Sequence, residues 1–271
     1  MGIDLRKIDP SDFSVPIGPR YERRPCGLYE SMLKEVAPYT VRGIIWYQGE
    51  TDGDCHPELY KTIFLSLIRN WRQLWNEELP FLFVQLAPFG QWMDSIGEPY
   101  VQIREAQQYA AENVPNTAMA VISDSGTQFD IHPKKKQPVG HRLALLAENK
   151  VYGENVLCEA PTLIKAEAEE GRIILTFENE GEGLYLAEKL PTGDTVDKTR
   201  LGGLKVFQDG NELDQTILHA KAEKNKVIIS GSYINPEAEM KIVLAETGWY
   251  QVNLYNSADI PARPRTISVR K

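Results

Sequence analysis

Short apolar runs alternate with segments of helical periodicity across the first half of the chain. The runs are continuous and rich in aliphatic and aromatic residues, which is typical of strands buried on both faces. The predicted strands cover 41–48, 80–88 and 118–123, and the predicted helices cover 57–75, 99–113 and 136–152. Because strands that alternate with helices of this length pair in parallel through right-handed crossovers, we expect a three-layer α/β domain.

The helical period disappears after Gly153. Short strand-like stretches follow, separated by turn signals such as EEGR, QDGN and EKNK. This pattern predicts an antiparallel β-sandwich. We therefore expect an amino-terminal linker or strap at residues 1–40, an α/β domain at 41–155 and a β-sandwich domain at 156–271.

Composition and charge narrow the classes of protein. The 271 residues are 42% hydrophobic and 25% charged, which are ordinary globular values that exclude wholesale disorder. With 30 Lys and Arg against 38 Asp and Glu, the net charge is −8. Binding to a phosphate backbone needs clustered Lys and Arg, and the run Lys134–Lys136 is the one local basic cluster in the sequence. We therefore expect no nucleic acid partner.

The cysteines and the apolar runs of the sequence give no positive indication of a disulfide framework, a zinc site or a membrane span. The three cysteines, Cys26, Cys55 and Cys158, share no CxxC spacing, which argues against a disulfide framework or a zinc ribbon. No apolar run approaches a membrane span of about 18 residues, and we expect no membrane partner. If Met1 is the true start, the location would be cytoplasmic.

Two polar patches carry the candidate chemistry. Residues 46–52 (WYQGETD) follow the first predicted strand, and residues 124–136 (DSGTQFDIHPKKK) follow the third. The carboxyl ends of parallel strands meet at the ligand crevice, so the patches should face each other. His132 beside an Asp suits a base that takes a proton from a nucleophilic hydroxyl. Alone, either patch is an ordinary loop; only the two together favour an active site.

Several blocks of the sequence resemble one family of enzymes. From about Pro25 to Arg265 the chain reads, in order, IIWYQGETD, NWRQLW, PFLFVQLAP, IREAQQ, AMAVISDSG, DIHPKKKQPVGHRLALLA and GWYQVNLYNSADIPARPR. This series resembles the sialate O-acetylesterase family of the SGNH hydrolase superfamily. The resemblance implies a flavodoxin-like α/β/α hydrolase domain with a β-sandwich. It also implies removal of O-acetyl groups from sialic acids or other acetylated sugars through a serine acyl-enzyme, without a metal or another cofactor.

The same resemblance implies roles for the residues around His132. His132 matches the catalytic histidine, and Asp130 is the predicted acid that orients it. The superfamily's usual DxxH spacing would place that acid at Phe129, so the third member of the triad stays open. A backbone carbonyl near Gln128 and the carboxylate of Asp124 are the alternatives, because orienting the imidazole requires only an acceptor.

Gln48, Gly49 and Glu50 match the family's QGE block, in which oxyanion donors and a supporting carboxylate reside. Arg104 could contact the sugar if its helical turn faces the crevice, and a solvated helix face is the equal alternative. A metal site is not expected in the cluster at 52–56, because consecutive residues cannot all turn toward one ion.

The family's nucleophile is the missing feature. Relatives carry it in a GDS or GGS block well before QGE, and the segment before Gln48 contains no such block. Ser11, Ser14 and Ser31 lack the glycine that a tight nucleophile turn needs. Three explanations remain: a fragment lacking its amino end, a domain completed by a second segment or copy, or a non-catalytic carbohydrate-binding remnant.

A fragment would have two consequences. An exposed apolar edge should lie beside the strand at 41–48, because a neighbouring strand would be absent. An upstream segment would also leave room for a secreted or periplasmic location.

Overall fold

The structure is a computed structural model of the protein, and it describes residues 26–269. Of the strap predicted at 1–40, residues 26–40 fall within this range. They form a π-helical turn at Tyr29–Leu33 that continues into the short helix α1, Lys34–Val36. Ser11 and Ser14 lie outside the described residues.

The first half of the described chain is built on a parallel sheet. In chain order its elements are β1 (Ile44–Trp46), α2 (Glu50–Cys55), α3 (Pro57–Trp75), β2 (Phe81–Val84), β3 (Gln91–Trp92), β4 (Ser95–Ile96), α4 (Tyr100–Asn113), β5 (Thr117–Ala120) and α5 (Gln137–Lys150). Strands β1, β2 and β5 pair in parallel in the order β1-β2-β5. The predicted α/β fold is confirmed. The three strands are shorter than the apolar runs that predict them.

Helices cover both faces of this sheet. Phe81 and Phe83 of β2 pack in one core with residues of α3 and α4, whereas Leu82 and Val84 pack in a second core with residues of α5. Alternate side chains of a strand point to opposite faces, so the continuous apolar run of β2 fills both layers. The result is the expected three-layer arrangement, with β2 fully buried.

Helix α3 shows how well periodicity predicts burial. Proline suits the first helical position, where its missing N–H is not needed, and the residue that caps the carboxyl end of the helix, Asn76, adopts the left-handed conformation. Tyr60, Phe64 and Ile68 are buried, but Ile63 is 47% exposed. The buried stripe is therefore narrower than the apolar pattern predicts.

The second half is antiparallel. Its strands are β6 (Thr162–Glu169), β7 (Arg172–Glu178), β8 (Tyr185–Leu186), β9 (Leu204–Gln208), β10 (Asn211–Glu212), β11 (His219–Glu223), β12 (Lys226–Ser230), β13 (Met240–Leu244), β14 (Leu254–Tyr255) and β15 (Arg265–Ser268). Two four-stranded sheets, β10-β9-β13-β15 and β11-β12-β7-β6, face one shared core. Alternating buried residues such as Ile173, Leu175 and Phe177 supply that core, as expected of a sandwich.

A buried polar network joins the two halves. The guanidinium of Arg142 on α5 pairs with the carboxylate of Asp124, and the Tyr255 hydroxyl donates to the same carboxylate at 2.9 Å. Burial, and then the charge of Asp124, raises the pKa of Tyr255. Because residues from both halves share these bonds, the division near residue 155 stays a prediction. Between residues 26 and 269, no helix combines the length and apolar character needed to span a bilayer.

Candidate active site

The loop after β1 is held in place by its backbone. The Gln48 carbonyl accepts a hydrogen bond from the Tyr60 hydroxyl at 3.1 Å, and helix α2 begins immediately afterwards at Glu50. The Gln48 side-chain amide donates to Asp52 Oδ2 at 2.7 Å. The amide group has a second N–H, which is the one that would serve as the predicted oxyanion donor. Glu50 lies in the first turn of α2 and is half-buried.

Gly49 occupies a position that only glycine fits well. Its φ is 153°, and a Cβ atom there would lie 2.9 Å from Ile103 Cγ2 and 3.2 Å from Leu86 Cδ1. Both neighbours are buried, so neither can move away at low cost. The sequence predicts a functional role for Gly49, and the structure adds a steric reason for glycine at this place.

Replacing Gly49 by alanine should therefore destabilise the protein. We expect a loss of about 1–3 kcal/mol in the free energy of unfolding, from backbone strain and overpacking together. Urea denaturation of Gly49→Ala measures it. Gly140→Ala is a matched control, because a Cβ atom at Gly140 meets nothing within 4 Å; the explanation would be contradicted if both variants were equally stable.

His132 and Asp130 are brought together on the loop after β5. Asp130 Oδ1 lies 3.2 Å from His132 Nδ1 and also accepts the His132 backbone N–H at 2.9 Å. The backbone bond from His132 is the main cause that lowers the pKa of Asp130, and the side chains of His132 and Lys134 add to it. Asp130 is therefore ionised at neutral pH and can only accept. With Nδ1 as donor, Nε2 of the neutral imidazole is left free to take a proton.

The alternative acceptors have other partners. Asp124 is 2% exposed and pairs with Arg142 through two bonds, of 2.7 and 2.6 Å. The carbonyl of Gln128 accepts the backbone N–H groups of Gly90 and Gln91. Of the three acceptors that the sequence leaves open, Asp130 is the one that contacts the imidazole.

Arg104 is buried rather than presented to the crevice. It is 2% exposed, its Nη1 donates to the Ala87 carbonyl at 3.4 Å, and its Nη2 donates to the Thr247 carbonyl. The guanidinium also lies 5.2 Å from the Tyr250 ring centroid. These contacts tie α4 to the second half of the chain. The predicted sugar contact would require breaking them, and we assign Arg104 a structural role.

A short hairpin beside His132 was not predicted from the sequence. Strands β3 and β4 pair around a two-residue turn, and the Trp92 ring meets the His132 ring edge-to-face at 5.3 Å between centroids. The segment GQWMDSIG offers a signal, because two glycines bracket a stretch in which the turn formers Asp94 and Ser95 separate apolar residues. Its strands are only two residues long, so alternation of apolar residues could not reveal them.

The Ser31 hydroxyl makes a local helical contact, and the His, Cys, Asp and Glu side chains of the described residues form no metal centre. The Ser31 hydroxyl donates to the Gly27 carbonyl at 2.8 Å, as a helical serine commonly does. Within the described part of the chain, no three His, Cys, Asp or Glu side chains are grouped so as to hold a metal ion.

Comparisons with known proteins agree on one family. Residues 18–147 match the family model described as carbohydrate esterase, sialic acid-specific acetylesterase. The mouse sialate O-acetylesterase is 33% identical over 172 residues, which is 56% of this chain and 32% of the mouse protein. The human sialate O-acetylesterase is 31% identical over 169 residues, 55% of this chain and 32% of its own length. The chain thus matches about a third of the length of these relatives.

A solved structure extends the likeness to the second half. The crystal structure of a carbohydrate acetylesterase from Xanthomonas citri aligns with a TM-score of 0.69 and 31% sequence identity. The alignment covers 89% of this chain and 53% of that one. Together with the sequence matches, it supports the family that the resemblance implies. Residues 18–147 of this chain are therefore similar in sequence to the sialic acid-specific acetylesterase family of carbohydrate esterases.

Proposed function

We propose that this protein removes O-acetyl groups from sialic acids or other acetylated sugars. One observation carries the proposal: an exposed imidazole whose Nδ1 is 3.2 Å from a carboxylate, on a loop at the carboxyl end of a parallel strand. Ligands of parallel α/β sheets bind at this end. The relatives named above are esterases of the same chemistry.

In this proposal His132 is the base and Asp130 orients it. Nε2 takes the proton of a serine hydroxyl, whose oxygen attacks the acetyl carbonyl. The Gly49 N–H stabilises the oxyanion, and the ionised Asp130 stabilises the imidazolium. The imidazolium then protonates the sugar oxygen as its bond to the acetyl carbon breaks, which leaves an acetyl-serine and a free sugar hydroxyl. A water molecule, activated by the same histidine, releases acetate and restores the serine.

A strand that pairs with the open edge of β1 would supply the serine. Among residues 26–269, β1 pairs only with β2, and Ile45 in its middle is 65% exposed. Within the described residues, this exposed side chain supports the proposal that a further strand packs beside β1. Trp46 Nε1 and Tyr47 Oη, at the end of the same strand, are buried without a hydrogen-bond partner in the described chain. Buried polar atoms in folded proteins usually have hydrogen-bond partners. In this proposal the partner is a complementing segment that carries the serine, because a second copy of this chain would lack the GDS or GGS block as well.

Acetate release tests the function. We would measure it with an O-acetylated sialic acid and an acetylated xyloside, using the chain alone and the chain mixed with the segment that precedes the matched region of the mouse relative. Turnover in either arrangement is the expected result. Sugar binding with no turnover in either would identify a non-catalytic binding protein instead, and neither binding nor turnover would reject the proposed function altogether.

A further inference from the structure

The hairpin β3–β4 joins the two patches of the candidate site. On one side, Gln91 N–H donates to the Gln128 carbonyl at 2.9 Å, next to the loop that carries His132. On the other side, the Ser95 hydroxyl donates to Asp54 Oδ2 at 2.7 Å, on the helix that follows Gly49. The hairpin therefore contacts both patches, the loop that leads to His132 and the helix that follows Gly49, and forms a wall beside them.

This wall is fixed by close backbone packing at its base. A Cβ atom at Gly90 would lie 2.7 Å from the Gln128 carbonyl oxygen, and one at Gly97 would lie 1.8 Å from the Phe89 carbonyl oxygen. The Phe89 N–H donates to the Gly248 carbonyl at 3.0 Å, which anchors the hairpin to the second half of the chain. A wall held at both ends can keep a ligand in one orientation.

Large apolar side chains on and beside this wall face solvent. Met93 at the hairpin tip and Phe129 on the His132 loop are each 74% exposed, and Ile96 is 48% exposed. Met93 also has a φ of 51°, a left-handed conformation that costs a non-glycine residue about 1 kcal/mol or more. Neither exposure nor strain stabilises the fold. Because they lie on the hairpin that carries Trp92 and on the loop that carries His132, these side chains suit the lining of a ligand site.

Trp92 connects the apolar side chains to the chemistry. It is partly buried against the core under the sheet, and its ring contacts the ring of His132 edge-to-face. A ligand that lies along Trp92 is therefore next to the imidazole. Ligand sites combine aromatic and apolar lining with a few polar groups, and here the polar groups are His132 and Asp130.

We propose that Trp92, Met93 and Phe129 form the surface that binds the apolar ring face of the acetylated sugar, an inference that rests on the proposed function. A pyranose ring presents a face of C–H groups, which packs on apolar and aromatic side chains while its hydroxyls stay in water. Packed there, the sugar holds its ester within reach of the base. These residues determine substrate binding; they take no part in proton transfer.

The test uses three variants of the full chain and one control variant. The double variant Met93→Ser with Phe129→Ser removes two exposed side chains and keeps the Trp92–His132 contact, so it should fold normally. Trp92→Ala removes the central ring, and Trp92→Phe keeps an aromatic face there. The control is Tyr233→Ser, because Tyr233 lies in the second half of the chain and is 66% exposed.

Binding of N-acetylneuraminic acid, which the reaction cannot consume, is measured by NMR titration. We expect Kd to rise about 10-fold or more in the double variant and in Trp92→Ala, and to stay near the wild-type value in Trp92→Phe and the control. Equal binding by wild type and double variant would overturn this inference and leave the proposed function intact. No binding by the wild type would overturn the sialic acid substrate together with it.

Analytical ultracentrifugation covers the competing occupant, a second copy of this chain. The wild-type protein should sediment identically to the double variant. A wild-type dimer that the double variant dissociates, with sugar binding unchanged, would assign the surface to self-association and reject the sugar.

Discussion

Replacing His132 by alanine is expected to lower kcat for acetyl ester hydrolysis by about 10²–10⁴-fold, the usual contribution of a positioned general base. The side chain is 72% exposed, so its loss leaves no cavity and the melting temperature should stay unchanged. Steady-state hydrolysis of p-nitrophenyl acetate and of an O-acetylated sialic acid, under the arrangement that gives turnover, measures the effect.

His56 offers a matched control for this variant. Its Nδ1 lies 3.3 Å from Glu58 Oε1 and its side chain is 70% exposed, so it is also a solvated histidine beside a carboxylate. His56→Ala should keep the wild-type kcat. Equal losses in the two variants, or full activity in His132→Ala, would show that the reaction does not use this imidazole as its base.

Arg142→Met is expected to have the largest effect on stability. Arg142 and Asp124 are each 2% exposed and share two hydrogen bonds, of 2.7 and 2.6 Å. Without the guanidinium, Asp124 keeps a buried charge that faces two neutral hydroxyls, those of Tyr255 and Ser125, each at 2.9 Å. Breaking a buried ion pair on one side costs about 3–5 kcal/mol in the free energy of unfolding. Urea denaturation monitored by circular dichroism measures this loss.

Two comparisons show whether the buried charge of Asp124 causes the loss of stability in Arg142→Met. Arg172 pairs with Glu169 on the surface, with the arginine side chain 51% exposed, so Arg172→Met should cost less than about 1 kcal/mol. The double variant Asp124→Leu with Arg142→Met should be more stable than Arg142→Met alone, because no charge is left buried. A double variant less stable than the single one would contradict this explanation.

The sequence predicts the parts of the fold that depend on local pattern. The continuous apolar run of β2 indicates burial on both faces, and both are covered by helices. The alternation around Ile173 and Leu175 likewise predicts the sandwich core. In both cases a few consecutive side chains contain the information, because strand geometry turns alternation directly into burial.

Parts of the site depend on distant contacts and could not be predicted. The Arg104 guanidinium donates to the Thr247 carbonyl, 143 positions along the chain. No local pattern in the sequence reveals that bond. The sequence therefore predicts that Arg104 lies at the surface, either in the crevice or on a solvated helix face. Helix α2, with the sequence ETDGDC, has no apolar periodicity either. It packs through Gly53, where an added Cβ atom would lie 2.6 Å from the Tyr100 ring.

The proposed mechanism depends on His132 as the base and on Asp130 as the acid that orients it. Determining the tautomer of His132 by NMR tests this central claim most directly, because the measurement needs neither the nucleophile nor the substrate. If Asp130 holds Nδ1–H and leaves Nε2 as the base, nitrogen-15 spectra of the neutral imidazole will show the Nδ1–H form in the wild type. Asp130→Ala will shift the population toward the Nε2–H form. A wild-type imidazole protonated on Nε2, or one that Asp130→Ala leaves unchanged, would contradict the assignment of His132 and Asp130 as base and orienting acid.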